Sequence, residues 1–113
     1  MFGFGPAIKE IDPSQFAQWV NDASHQMRVI DVRQMAEIAG GTVPKAEAFP
    51  LHLLPAKVSE LSPQEKVVVI CRSGARSAQA CMFLHQQGFK DVYNLRGGMM
   101  GWVGSGFPVA QLA

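Results

Sequence analysis

The chain has 113 residues, 48% of them hydrophobic, with ten basic and nine acidic side chains and a formal charge of +1. That is enough apolar material for the core of one domain, and the charge balance makes no case for nucleic acid or an anionic membrane as partner. No apolar run approaches the ~20 residues needed to span a bilayer, and two cysteines in a chain this size do not make a disulfide scaffold.

The first residues, Met1-Phe-Gly-Phe-Gly-Pro-Ala-Ile, lack the basic and long apolar segments of a signal peptide. Together with reduced thiols this leads us to expect a soluble, cytoplasmic protein. Phe2 and Phe4 either tuck under the domain or form a contact. Residues 7–11 read as a short strand, closed by Asp12-Pro13, an N-cap followed by proline at the first helical position. Phe16, Trp19 and Val20 recur at helical spacing, which predicts a helix over 13–23. Residues 28–32 form a continuous strand of the kind buried in parallel sheets, and 34–38 a short helix before a turn rich in Gly40, Gly41 and Pro44.

A brief strand is predicted over 48–51 and a helix over 53–61, stopped by Ser62-Pro63. Residues 66–70 carry the clearest strand pattern and 77–87 the clearest helix, with Gly88 as its C′ residue and Phe89 packing back. A strand over 91–94, a turn at Arg96-Gly97-Gly98 and a short helix over 99–103, weakened by Gly101 and Gly104, complete the chain. Strands alternating with helices indicate a parallel sheet covered on both faces.

The chemistry concentrates where the strand at 66–70 runs into Cys71-Arg-Ser-Gly-Ala-Arg-Ser77. In an open α/β sheet, ligands bind outside the carboxyl ends of strands, which is where Cys71 stands. Gly74 and Ala75 keep the loop narrow enough for backbone N–H groups to point inward, and Ser73 and Ser77 add donors. The dipole of the following helix, with Arg72 and Arg76, would favour a thiolate and hold an anion against it. A thiolate stabilised in this way needs no adjacent base.

His25, His52 and His85 are scattered and share no metal-ligand spacing with either cysteine, so neither metal nor cofactor is expected. Cys81 falls about three turns into the helix, beyond the ~7 Å Cα separation that a disulfide allows, so a Cys71–Cys81 bridge is rejected. With Ser77, Leu84 and Gly88 it lies on the side facing the sheet and reads as core. Arg96 reads as structural, and Met99, Met100 and Trp102 as packing against the last strand.

Spacing narrows the reaction. Thiol phosphatases carry Cys-x5-Arg, and that position here is Ser77; the arginine comes one residue sooner, as Cys-x4-Arg. The tighter ring suits a sulfur atom better than a tetrahedral phosphate.

This loop resembles the active-site loop of single-domain rhodaneses (thiosulfate sulfurtransferases). Further pieces agree in order: Ile30-Asp-Val-Arg33 with Glu37, Val43-Pro44-Lys-Ala46 leading to Phe49-Pro50-Leu51, and Leu95-Arg-Gly-Gly98 with Gly101-Trp102. The resemblance covers about residues 8–108 of what reads as one domain. It implies an α/β fold: a three-layer rhodanese-like domain, its central parallel sheet of about five strands with helices on both faces.

It also implies that Cys71 is catalytic, attacking the sulfane sulfur of a small anionic donor such as thiosulfate or a persulfide. The persulfide sulfur then passes to a thiol or cyanide acceptor. Arg72, Ser73, Gly74, Ala75, Arg76 and Ser77 would bind the donor, the two arginines attracting its charge. Asp31 and Arg33 resemble the family's loop-bracing positions. A sulfur-relay protein is a possible partner, which gives an alternative function, a sulfur-carrier or docking module loaded by that partner. A thiol phosphatase or arsenate reductase is a further alternative, opposed by the short loop. Thr42 stands where relatives usually have His, and Lys45 and Gly101 where they have Gly and Ala. These departures bear on local packing and partner contacts rather than on sulfur transfer, and Gly101 should loosen the last helix.

Overall fold

The computed structural model describes residues 8–112. Phe2, Phe4 and the first residue of the strand predicted over 7–11 lie outside the described residues. Five strands, β1 (Lys9–Ile11), β2 (Arg28–Asp31), β3 (Ala46–Ala48), β4 (Val67–Ile70) and β5 (Val92–Leu95), form one parallel sheet in the order β1-β5-β4-β2-β3. The helices are α1 (Pro13–Val20), α2 (Met35–Ala39), α3 (Leu54–Lys57), α4 (Ala75–Gln86) and α5 (Gly98–Gly104). The predicted α/β architecture is the observed one. Among the described residues no helix is long and apolar enough to cross a membrane.

β4 lies at the centre of the sheet because its four β-branched residues can be buried on both faces. Side-chain alternation divides them. Val67, Val69 and then Cys71 pack with Ala80, Cys81 and Leu84 of α4, while Val68 and Ile70 pack with Phe16 of α1 and Trp102 of α5. The strand's period of two therefore delivers Cys71 to the α4 side at the carboxyl edge of the sheet.

Boundaries move where local chemistry competes with periodicity. The Asp12 carboxylate accepts the Gln15 N–H at 2.8 Å and starts α1 as predicted. The helix stops at Val20 rather than 23 because Asp22 takes the Ser24 N–H and hydroxyl at 3.0 and 2.6 Å and forms a turn of its own. The third strand occupies 46–48 instead of 48–51, since Pro50 has no N–H to give and Leu51 begins a 3-10 turn.

The helix predicted over 53–61 is broken. Pro55 cannot bond back to residue 51, so two 3-10 turns (Leu51–Leu53 and Val58–Glu60) flank a single turn of α3. α4 begins at Ala75, two residues before the predicted start, because Gly74 at φ +110° supplies the cap. Its far end is as predicted: Gly88 is left-handed, and the Gly88 and Phe89 N–H groups donate to the His85 and Leu84 carbonyls, both at 3.0 Å. Gly101, expected to loosen α5, lies within an unbroken helix and has a packing role there. A Cβ there would stand 3.0 Å from the Arg96 carbonyl oxygen, so its small size permits a close approach.

Candidate active site

Cys71 is the first residue past β4, and its side chain lies beneath the loop at 1% exposure. Its Sγ receives the Gly74 N–H at 3.0 Å and faces the Ser77 Oγ at 3.2 Å. Burial by itself would push the thiol up. The Ser77 hydroxyl and the backbone N–H groups of Ser77, Gly74 and Ser73 outweigh that penalty and bring it below the ordinary thiol value. The lowering thus comes from short-range donors, where the sequence reading named the helix dipole and the two arginines.

α5 sets the loop's orientation. The Met99 N–H donates to the Cys71 carbonyl at 2.8 Å and the Met100 N–H to the Arg72 carbonyl at 3.0 Å. With its carbonyls drawn toward α5, the loop turns N–H groups toward the sulfur. Gly98 makes this clasp possible, since a Cβ on it would run into the Cys71 carbonyl oxygen.

The two arginines are placed differently. Both Nη groups of Arg76 donate to the Glu37 carboxylate, at 2.7 and 2.9 Å. This ion pair holds the Glu37 carboxyl down at about 2, and the carboxylate also accepts the Gln34 N–H at 3.0 Å. Arg76 therefore ties the first turn of α4 to α2, where the sequence reading gave it to an anionic donor. Among the described residues Arg72 is exposed, and its side chain makes no hydrogen bond or ion pair. It borders an open cleft of about 550 Å³ lined with Arg33, Glu37, Met99, Met100 and Val103. Ser73 and Ala75 are exposed on the loop, and only the Ser73 backbone N–H bears on the thiol.

Asp31 and Arg33 form a buried bidentate pair, Arg33 Nη2 to Asp31 Oδ2 at 2.8 Å and Nε to Oδ1 at 3.1 Å. Arg33 Nη2 also donates to the Gly41 carbonyl and Thr42 Oγ1 to Asp31 Oδ2, both at 2.7 Å. The pair braces the turn at 40–42 and reaches the cysteine loop only at second hand, through α2 and Glu37. Thr42 is buried inside this network rather than loose at the edge of the sheet. Lys45, where Gly is usual, sits at φ +69°, a region unfavourable for a lysine.

Asn94 of β5 escaped the sequence reading. It is 3% exposed, accepts from the Ser77 hydroxyl at 2.5 Å, and donates through Nδ2 to the Gly74 carbonyl at 3.2 Å. A polar residue near the carboxyl end of an otherwise apolar strand was the available signal. The hollow around His25, Gln64 and Lys66, about 430 Å³, lies at the opposite edge of the sheet, and no cysteine is among its lining residues.

The result is a parallel α/β domain that presents one hydrogen-bonded cysteine at the carboxyl edge of its central strand. Within it, residues 12–105 match the family model for the rhodanese-like domain, and the chain belongs to that family. It is 44% identical over 102 residues to a sulfurtransferase of Allochromatium vinosum, covering 90% of this chain and 94% of that one. It is 30% identical over 100 residues to a thiosulfate sulfurtransferase of Glaesserella parasuis, covering 88% of this chain and 91% of that protein. The crystal structure of a rhodanese-related protein from Thermoplasma volcanium has a TM-score of 0.82 at 29% identity, over 92% of this chain and 99% of that one. Family and relatives together support sulfur transfer as the general activity.

Proposed function

We propose that this protein is a sulfurtransferase that takes a sulfane sulfur from thiosulfate or an organic persulfide onto Cys71 and passes it to a thiol or cyanide. The carrying observation is the lowered Cys71 thiol, with the Gly74 N–H at 3.0 Å from its sulfur. The naming of the Glaesserella relative supports thiosulfate as a donor.

In the first half-reaction the Cys71 thiolate attacks the sulfane sulfur. The bond from that sulfur to the sulfonate sulfur breaks, and its electron pair leaves on sulfite. The enzyme then carries Cys–S–S⁻, whose negative charge is stabilised by the loop N–H groups. In the second, a thiolate or cyanide attacks the outer sulfur, and the electron pair of the S–S bond returns to Cys71. Arg72 is the loop cation available to attract an anionic donor, while Arg76 holds the loop to α2.

The test is intact-mass analysis after incubation with thiosulfate, glutathione persulfide or a desulfurase donor. The wild-type chain should gain one sulfur atom and Cys71→Ser none; no gain with any donor would sink the proposal.

A second reading, a carrier loaded by a protein partner, draws on the Arg76–Glu37 pair, which among the described residues leaves Arg72 as the unpaired arginine on the loop for a small dianion. Slow loading from thiosulfate with fast loading from a persulfidated protein would select it. Turnover of phosphate esters or arsenate dependent on Cys71 would refute both readings.

A further inference from the structure

Ser77 has one hydroxyl hydrogen and two buried acceptors within reach, Cys71 Sγ at 3.2 Å and Asn94 Oδ1 at 2.5 Å. The Asn94 amide cannot turn over to help. Its Nδ2 is engaged by the Gly74 carbonyl at 3.2 Å, and a flip would set Oδ1 against that carbonyl and Nδ2 against the serine. Asn94 therefore faces Ser77 as an acceptor only. Resting on the Cys71 sulfur-transfer reading, we propose that Asn94 is a positioning residue that takes the Ser77 hydrogen whenever the Cys71 sulfur carries no negative charge, and yields it when the sulfur is a thiolate.

The hydrogen has a distinct place in each state of the thiol. In the neutral thiol, S–H donates to Ser77 Oγ and Ser77 donates onward to Asn94, so every buried donor has a partner. When the thiol proton leaves to solvent, the hydroxyl swings to the sulfur anion, a charge-assisted bond, and Asn94 Oδ1 is left without a partner in buried surroundings. During attack on a donor the negative charge moves to the outer sulfur and the inner sulfur becomes a poor acceptor. The hydroxyl then returns to Asn94, so the nucleophile is freed from its hydrogen bond without stranding the serine. Asn94 thus lowers the cost of releasing the thiolate at the moment it reacts, and it acts on Cys71 only through Ser77.

The charged groups around the thiol are Arg72 on the loop and Arg76 on α4, with Glu37 and Asp31 beyond them, and the titratable Cys81 lies beneath. None of these side chains hydrogen-bonds to the side chain of Ser77 or Asn94 among the described residues. A substitution at 77 therefore reads this hydrogen, one at 94 reads it together with the Nδ2 bond to the Gly74 carbonyl, and the double variant separates the two.

The experiment is the pH dependence of Cys71 alkylation by iodoacetamide in the full chain, with the adduct located by mass spectrometry. It needs no sulfur donor, so it succeeds or fails independently of the sulfurtransferase reading. Ser77→Ala should raise the alkylation midpoint by about one pH unit, the loss expected for one hydrogen bond to a charged sulfur. Asn94→Ala should move it the other way, down by up to about half a unit, because the serine hydrogen no longer has a rival acceptor. Asn94→Leu, which keeps the volume, should do the same and serves if the alanine variant folds poorly. Ser77→Ala combined with Asn94→Ala should match Ser77→Ala alone. An upward or absent shift on substituting Asn94, or a double variant that differs from Ser77→Ala, overturns the proposal and makes Asn94 a simple brace for Gly74.

Discussion

The two cysteines of this chain share one apolar cluster, and both are buried, yet they are opposite in chemistry. Cys81, on the inner face of α4, is pushed up to about 12, first by burial and next by the neighbouring Cys71 charge. Cys71 too is pushed up by burial, yet it ends below the ordinary thiol value, because hydroxyl and N–H donors surround its sulfur. Burial therefore does not decide whether a thiol is inert. What decides is whether buried donors meet it, and those come from a loop that has left the strand ladder and not yet closed into a helix.

The widest test of that contrast removes the thiol that burial raises. Cys81→Ala should leave persulfide loading of Cys71 unchanged and cost about 1–2 kcal/mol of stability as a small core truncation. Chemical denaturation and intact mass read the two effects. Loss of loading in Cys81→Ala would mean that the thiols work as a pair.

A smaller effect concerns the frame around the reactive thiol. Glu37→Gln should lower stability by about 1 kcal/mol at pH 7, a modest figure because the pair is partly exposed. Since the folded carboxyl lies at about 2, below the ~4.3 of an unfolded glutamate, the pair stabilises fully above that ordinary value and fades as pH falls through the folded one. Thermal melts of variant and wild type should therefore converge toward pH 2. A gap of unchanged size at that pH would assign the loss to packing.

The smallest effect lies outside both cysteine environments. Lys45→Gly should relieve the left-handed lysine and raise stability by up to about 1 kcal/mol, with Cys71 reactivity unaltered. A drop in stability would show that the lysine stem contributes more packing than its backbone conformation costs.

How much of this was legible beforehand follows from distance along the chain. The cysteine, glycine and hydroxyl of the Cys71–Ser77 loop could be picked out because they are contiguous. So could the parallel sheet, whose central strand is four β-branched residues in a row. The pairing of Arg76 with Glu37 could not, because those residues are 39 positions apart and meet only once α2 folds against α4. Asn94 is 17 positions from Ser77, and a lone asparagine in a strand is mute until β5 lies beside β4. Boundaries at residues 22, 50 and 55 went to aspartate and prolines, whose local preferences override periodicity.

The grip of α5 on the cysteine loop has a consequence for the growing chain. During synthesis Cys71 leaves the ribosome ahead of β5 and α5, before Asn94 can meet Ser77 and before the Met99 and Met100 amides can draw the loop carbonyls aside. Until those segments dock, nothing holds the Cys71 and Arg72 carbonyls aside, and the loop donors are not yet fixed on the sulfur. The cage of donors around this sulfur is thus completed from the far end of the chain, when the last described helix seats.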